Sequence, residues 1–154
     1  MNLRRVAPGD WAVGVCGALL IGSLWLPWYR GAGHDYNAWQ SMAVNDVILF
    51  GAGALAIGLV LVTAAQPSGA IPITLSVFTS LGGILAAVLA VIRLIWPPDL
   101  GVPADRLAGV WIGTAAAAAL AVTALLSMRN EHRGVEGLAQ VEITSLPAPR
   151  GNGA

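Results

Sequence analysis

Long runs of apolar residues, empty of ionic side chains, divide this chain. Between Asp10 and Arg30 lie 19 uncharged residues, between Asp46 and Arg93 lie 46, and between Arg106 and Arg129 lie 22. A charge near the centre of a bilayer costs about 2.5–3.5 kcal/mol, and a span needs roughly 20 apolar residues, so these intervals predict segments that cross lipid. The middle interval is too long for one crossing. Gln66-Pro67-Ser68-Gly69 breaks it with a proline and glycine turn that lets the chain reverse. Four spans result, at about 11–27, 46–65, 71–96 and 107–128. They must be helices, because an open sheet leaves backbone N–H and C=O groups unpaired in hydrocarbon and four strands are too few to close a barrel. The expected fold is an all-α polytopic membrane protein, a bundle of four transmembrane helices. A tail of residues 1–10 precedes it, and a tail of residues 129–154, rich in Pro and Gly and unable to bury a core, is expected to be disordered.

Composition sharpens this picture. Of 154 residues 56% are hydrophobic and only 10% charged, against about 25% charged in soluble domains. All eight basic residues are Arg, eight acids cancel them, and Lys is absent, so no basic surface for nucleic acid can be assembled. Arg4, Arg5, Arg129 and Arg133 flank one end of the spans, while Arg30, Arg106 and the nearby Arg93 flank the other. The positive-inside rule then predicts a multi-pass protein of the cell membrane with both termini cytoplasmic. Arg4-Arg5 and Gly31-Ala32-Gly33 resemble the ends of a signal peptide, but the long charge-free run with Trp11 and Trp25 reads as a retained span.

Small residues indicate which helix faces pack, since close backbone approach drives association in lipid. Gly14, Ala18 and Gly22 fall four apart on the first span, and Gly82, Ala86 and Ala90 do so on the third. Gly109, Gly113, Ala117 and Ala121 form the longest such strip, on the fourth. Whether these strips meet within one chain or between chains does not follow from spacing. Trp25, Trp28, Tyr29, Trp96 and Trp111 cluster at predicted span ends, where aromatic rings anchor at the headgroup level and the adjacent prolines stop a helix.

Chemistry is sparse. Arg93 is the one charge inside a predicted span, and Asp46 opens the second span at the same level, so the two form a candidate interfacial ion pair. His34, Asp35, Asp99 and Asp105 lie in the outer loops without metal-ligand spacing, and Asp105 reads as a cap of the fourth helix. Cys16 stands alone. The hydroxyls of Thr63, Thr74, Ser76, Thr79, Ser80, Thr114 and Thr123 can line a seam or bond back to their own helices. No catalytic set, cofactor site or metal site emerges. The expectation is a non-enzymatic accessory or scaffold protein whose partners are the lipid bilayer and either another membrane protein or further copies of the chain. A small oligomeric channel or transporter is the alternative, and an outer-face enzyme the third.

Several short stretches carry a resemblance: Leu26-Pro27-Trp28-Tyr29, Trp39, Asp46, Arg93 with Pro97-Pro98, Trp111, and Met128-Arg129-Asn130-Glu131. In these the chain resembles a type of small four-span integral membrane protein of actinobacteria with high-GC genomes. The resemblance implies a source and a four-span fold. It brings no active site.

Overall fold

The structure, a computed structural model, describes residues 8–41, 43–65, 70–99, 101 and 103–145. It is mostly helical, in the order α1 (Pro8–Ser23), β1 (Pro27–Gly31), β2 (His34–Asn37), α2 (Ala38–Ser41), α3 (Ala43–Ala65), α4 (Ala70–Ile95), β3 (Asp105–Arg106) and α5 (Ala108–Ser145). Among the described residues three segments are long and apolar enough to cross a membrane: Val44–Ala65, Thr74–Ile95 and Ala108–Arg129. These match three of the predicted spans to within a few residues. The first predicted span instead yields a helix of 16 residues, about 24 Å long, because the chain leaves the helix at Ser23 rather than at Pro27. The expected reversal at residues 66–69 lies outside the described residues. Beyond the predicted end of the fourth span, α5 continues to Ser145, where a disordered tail was expected.

The long helices pack in a ring: α1 on α3, α3 on α4, α4 on α5, and α5 back on α1. The core between them is built from Val13, Leu20, Leu49, Ala56, Leu59, Ala86, Ala90, Ala117 and Leu120, mostly short side chains that let the backbones approach. A broad apolar belt, with Phe78, Leu85, Val122 and Leu126 among its members, faces outward.

One end of the ring carries a feature that departs from an all-α fold: a three-stranded antiparallel sheet in the order β2-β1-β3. Its local causes are legible. Leu24, Trp25 and Leu26 donate to Ile21, Gly22 and Ser23, which tightens the end of α1. Pro27, which has no N–H to give, opens β1. The β1–β2 turn is Ala32-Gly33, with φ of 51° and 77°. Two positive φ values are what a type I′ hairpin needs, and Gly33 adopts one without steric penalty. Asn37 and Gln40 then cap α2 reciprocally, each side-chain oxygen accepting from the other's backbone N–H at 3.0 and 3.1 Å. The third strand comes from the second loop, Arg106 pairing with Tyr29 and Asp105 with Arg30. Asp105 is therefore a strand residue rather than the cap of α5. The N–H of Leu107, just ahead of α5, donates instead to the Trp28 carbonyl at 2.9 Å.

Candidate functional site

The site with the densest chemistry lies where the sheet meets the ends of α1, α3, α4 and α5. Register in β1 shifts between Pro27 and Tyr29. Successive strand residues normally face opposite ways, but this bulge allows Trp28 and Tyr29 both to turn into the bundle, where each is fully buried. They correct the expectation of two headgroup anchors: the two rings form the plug of the cap and are closed off from any headgroup. Trp25, Trp96 and Trp111 do stand on the surface, 57%, 65% and 57% exposed.

Trp28 is seated in α5. Its indole N–H donates to the Ser23 carbonyl at 2.7 Å. A Cβ on Gly109 would lie 2.5 Å from Trp28 Cδ1 and from the Pro27 carbonyl oxygen, and one on Gly113 would collide with Trp28 Cζ2. The first half of the predicted α5 strip is thus a slot for an indole rather than a face for a helix. Its second half does meet a helix: a Cβ on Gly83 of α4 would lie 3.3 Å from the backbone of Ala121, and Ala117 is fully buried. On α1 the predicted strip divides. Gly14 faces Val60 of α3, Ala18 is exposed, and Gly22 faces open space. The closest crossing is made by Gly17 and Gly53, where a Cβ on either would lie 2.8 Å from the other's carbonyl oxygen. Gly17 lies outside the four-residue repeat read from the sequence, and its signal was lost among abundant glycines and alanines.

Tyr29 closes the end of α4. The last carbonyls of a helix lack internal donors; here the Tyr29 hydroxyl donates to Arg93 O at 2.8 Å, and Arg106 donates from Nε to Leu94 O at 2.6 Å and from Nη2 to Ile95 O at 3.0 Å. Arg106 also brings positive charge to the negative end of the helix dipole. Burial pushes the Tyr29 hydroxyl up to about 12, against the pull of Arg93 and Arg106 in the other direction.

Asp46, in the first turn of α3, is fully buried below this cap. Neither of its carboxylate oxygens has a hydrogen-bond partner, and the Nε of Arg93 is likewise buried and unpartnered. No direct ion pair joins Asp46 to Arg93. Among the described residues the one salt bridge is Arg30–Asp35, a directly opposed pair on β1 and β2, with contacts of 2.5 and 3.0 Å. Its hydrogen bond holds the Asp35 carboxyl below its usual value and lifts Arg30. His34 lies beside it, edge-on to Tyr36 at 5.1 Å.

Around the outside of the cap runs an array of three rings, with Trp25–Trp39 centroids 5.8 Å apart and Trp39–Phe50 centroids 5.9 Å apart. At the far end of the ring, Ser127 of α5 donates to the buried Asp10 of α1 at 2.6 Å. In the sequence Asp10 marks only the edge of a charge-free run; its place in the first turn of an apolar helix was the signal for a buried role. Hydroxyls within the long helices mostly bond to their own backbones: Thr79 to Leu75, Ser80 to Ser76, Thr114 to Val110 and Thr123 to Ala119. Among the described residues no three His, Cys, Asp or Glu side chains gather as a metal site. Comparison with known protein families, with curated proteins and with solved structures finds no match.

Proposed function

We propose that this chain is a multi-pass integral membrane protein of the cell membrane that works as a non-enzymatic accessory or scaffold protein. All four long helices lie within the bilayer, α1 included, and the sheet covers the outer end. Two features support counting α1. It packs side by side with α3 and α5, two helices that carry full-length apolar segments, and exposed Trp11 and Trp25 stand near its two ends, as aromatic belts do. The Asp10–Ser127 bond joins the start of α1 to the end of the apolar part of α5. With Arg129 close to that end, both termini are assigned to the cytoplasm.

The observation that carries the scaffold reading is the aromatic array of Trp25, Trp39 and Phe50, held outward by a cap whose own interior is filled. Large rigid rings exposed on a braced support suit a contact face at the membrane interface. Hydroxyls turned back on their own helices favour this reading over a conducting pore. A photo-reactive residue in place of Trp39, activated in native membranes, should capture one defined membrane protein in constant ratio. The same residue in place of Ala119, on the far part of α5, should not. Capture of this chain by itself, together with ion flux in vesicles that contain only this chain, would overturn the scaffold in favour of the channel.

A further inference from the structure

Beside the Gly17–Gly53 crossing, on the side away from the cap, α1 and α3 leave a groove of about 330 Å³ between them. Trp11, Gly14, Val15 and Ala18 line it from α1, and Ile57 and Leu61 are among those that line it from α3. Its lining is apolar. The groove is open to the outside of the ring, since Trp11, Val15, Ala18 and Leu61 are all exposed. The sequence accounts for the hollow: Gly14 and Ala18 bring almost no side chain, while Trp11, Val15 and Leu61 project around them.

Size and position define what fits. The lining residues run from 11 to 18 and from 57 to 64, about 10 Å along each helix at 1.5 Å per residue. That is roughly a third of a hydrocarbon core about 30 Å thick, so the groove lies within one leaflet, toward the end that Trp11 marks. Its mean cross-section is about 33 Å², whereas a helix with its side chains, about 10–12 Å across, needs roughly 80–110 Å². A helix from a second copy therefore cannot enter it. An apolar cavity of about 150 Å³ takes up one benzene, so this one has room for about twice as much hydrocarbon, in an elongated space. Water finds no partners there, and an empty groove forfeits dispersion contacts along its walls. We propose that the groove seats one acyl chain of a phospholipid from the cytoplasmic leaflet, its headgroup left at the level of Trp11. The proposal rests on the placement of the four helices in the bilayer. Phospholipid is then the surrounding medium and fills the site by mass action. Elsewhere the belt is built of projecting side chains such as Val122 and Leu126 and touches a lipid from one side; in the groove α1 and α3 both touch it.

The test uses the full chain in phosphatidylcholine vesicles, with a minor fraction of phosphatidylcholine carrying a diazirine midway along one acyl chain. After irradiation, adducts mapped by peptide mass spectrometry should be several-fold denser at Val15, Ala18 and Leu61 than at Val122 and Leu126, exposed residues near the same end of α5. Ala18→Phe fills the groove and should bring adducts at Val15 and Leu61 down to the belt level while the unfolding temperature holds. Val15→Phe, read at Ala18 and Leu61, is the second filling variant if Ala18→Phe does not fold. Equal labelling of groove and belt, or a labelled belt with an unlabelled groove, would overturn the seated chain and leave the bilayer placement standing. Labelling of neither would overturn both. A diazirine fatty acid that labels the groove where the phospholipid does not would assign the site to a free acid and overturn the proposal as well.

Discussion

The two ends of the helix ring are joined by different means. At the cap end, large rings fill the space between helices, and hydrogen bonds run between elements: Trp28 to Ser23, Tyr29 to Arg93, Arg106 to Leu94 and Ile95, Leu107 to Trp28. Toward the other end, backbones come together with almost nothing between them, at Gly17–Gly53 and Gly83–Ala121, and the bonds that cross between helices are few, Ser127 to Asp10 and, at 3.5 Å, Thr79 to the Leu55 carbonyl among the described residues. The contrast teaches how a chain with so few polar residues holds a defined arrangement. Apolar helices in lipid gain little from hydrophobicity when they associate, so their relative positions must be fixed by shape or by hydrogen bonds. This protein concentrates the hydrogen bonds where the helices end and carbonyls need donors, and uses shape in between.

The sharpest way to break that contrast is to remove the plug. Trp28→Ala empties the α5 slot and deletes the indole bond to the Ser23 carbonyl, and should cost about 3–5 kcal/mol, read from denaturant titration in mixed micelles. Loss of under about 1 kcal/mol would mean that the cap rides on the helices without bracing them. Adding a single methyl tests shape directly. Gly113→Ala pushes into Trp28 and Gly17→Ala into Gly53, so each should cost about 1–3 kcal/mol. Gly22→Ala meets open space and should be neutral, or stabilising by up to about 1 kcal/mol. Equal losses at positions 22 and 113 would remove the slot as the explanation.

How much of this was readable beforehand depends on which rule had authority. The positions of Val44–Ala65, Thr74–Ile95 and Ala108–Arg129 were, because the cost of a charge in lipid acts on every residue of a long segment. The cap was not. Its strands are two to five residues long, too short for alternation to register, and its middle strand carries a bulge that turns Trp28 and Tyr29 to the same side. An aromatic residue near a span end suits an anchor and a plug equally well; only the bulge decides, and it follows from pairing with β2 and β3. Gly109 and Gly113 were identifiable as a contact, but their partner proved to be a side chain from a loop. Asp46 and Arg93 were recognisable as neighbours in level, while the burial of Asp46 lies under a sheet that the sequence did not announce.

Hydrogen bonds at the two ends give the next largest effects. Ser127→Ala leaves the buried Asp10 carboxylate without its donor and should cost about 1–3 kcal/mol. Tyr29→Phe deletes one bond to a helix-end carbonyl, for about 1 kcal/mol at neutral pH. The two differ in alkali. The Tyr29 hydroxyl is raised to about 12 in the folded protein from an ordinary 10, so the neutral form is favoured by folding. Its contribution is complete below pH 10 and is lost as pH rises through 12. The native protein should therefore weaken over that window more than Tyr29→Phe does, and the phenolate absorbance of Tyr29 should appear late. A Tyr29 that titrates near the ordinary 10 would mean that the cap admits water and that the end of α4 is open.

The hairpin tip should matter least. Arg30 and Asp35 face each other across β1 and β2 in a two-bond contact, but both side chains are about half exposed. In such a place water competes for each charge and salt screens the pair, so good geometry yields little net stability. Arg30→Ala should leave the unfolding transition where it is, and raising the salt concentration should shift neither the native protein nor the variant. Its value to the comparison is directional. The cap is held from beneath, by Trp28 and Tyr29, so cutting the pair at its rim should loosen β2 alone and raise hydrogen exchange at His34 and Asp35 while exchange at Tyr29 and Leu107 stays slow. If exchange at Leu107 rises with that at Asp35, the sheet is braced from its tip, and the roles assigned to the indole slot and the rim must be exchanged.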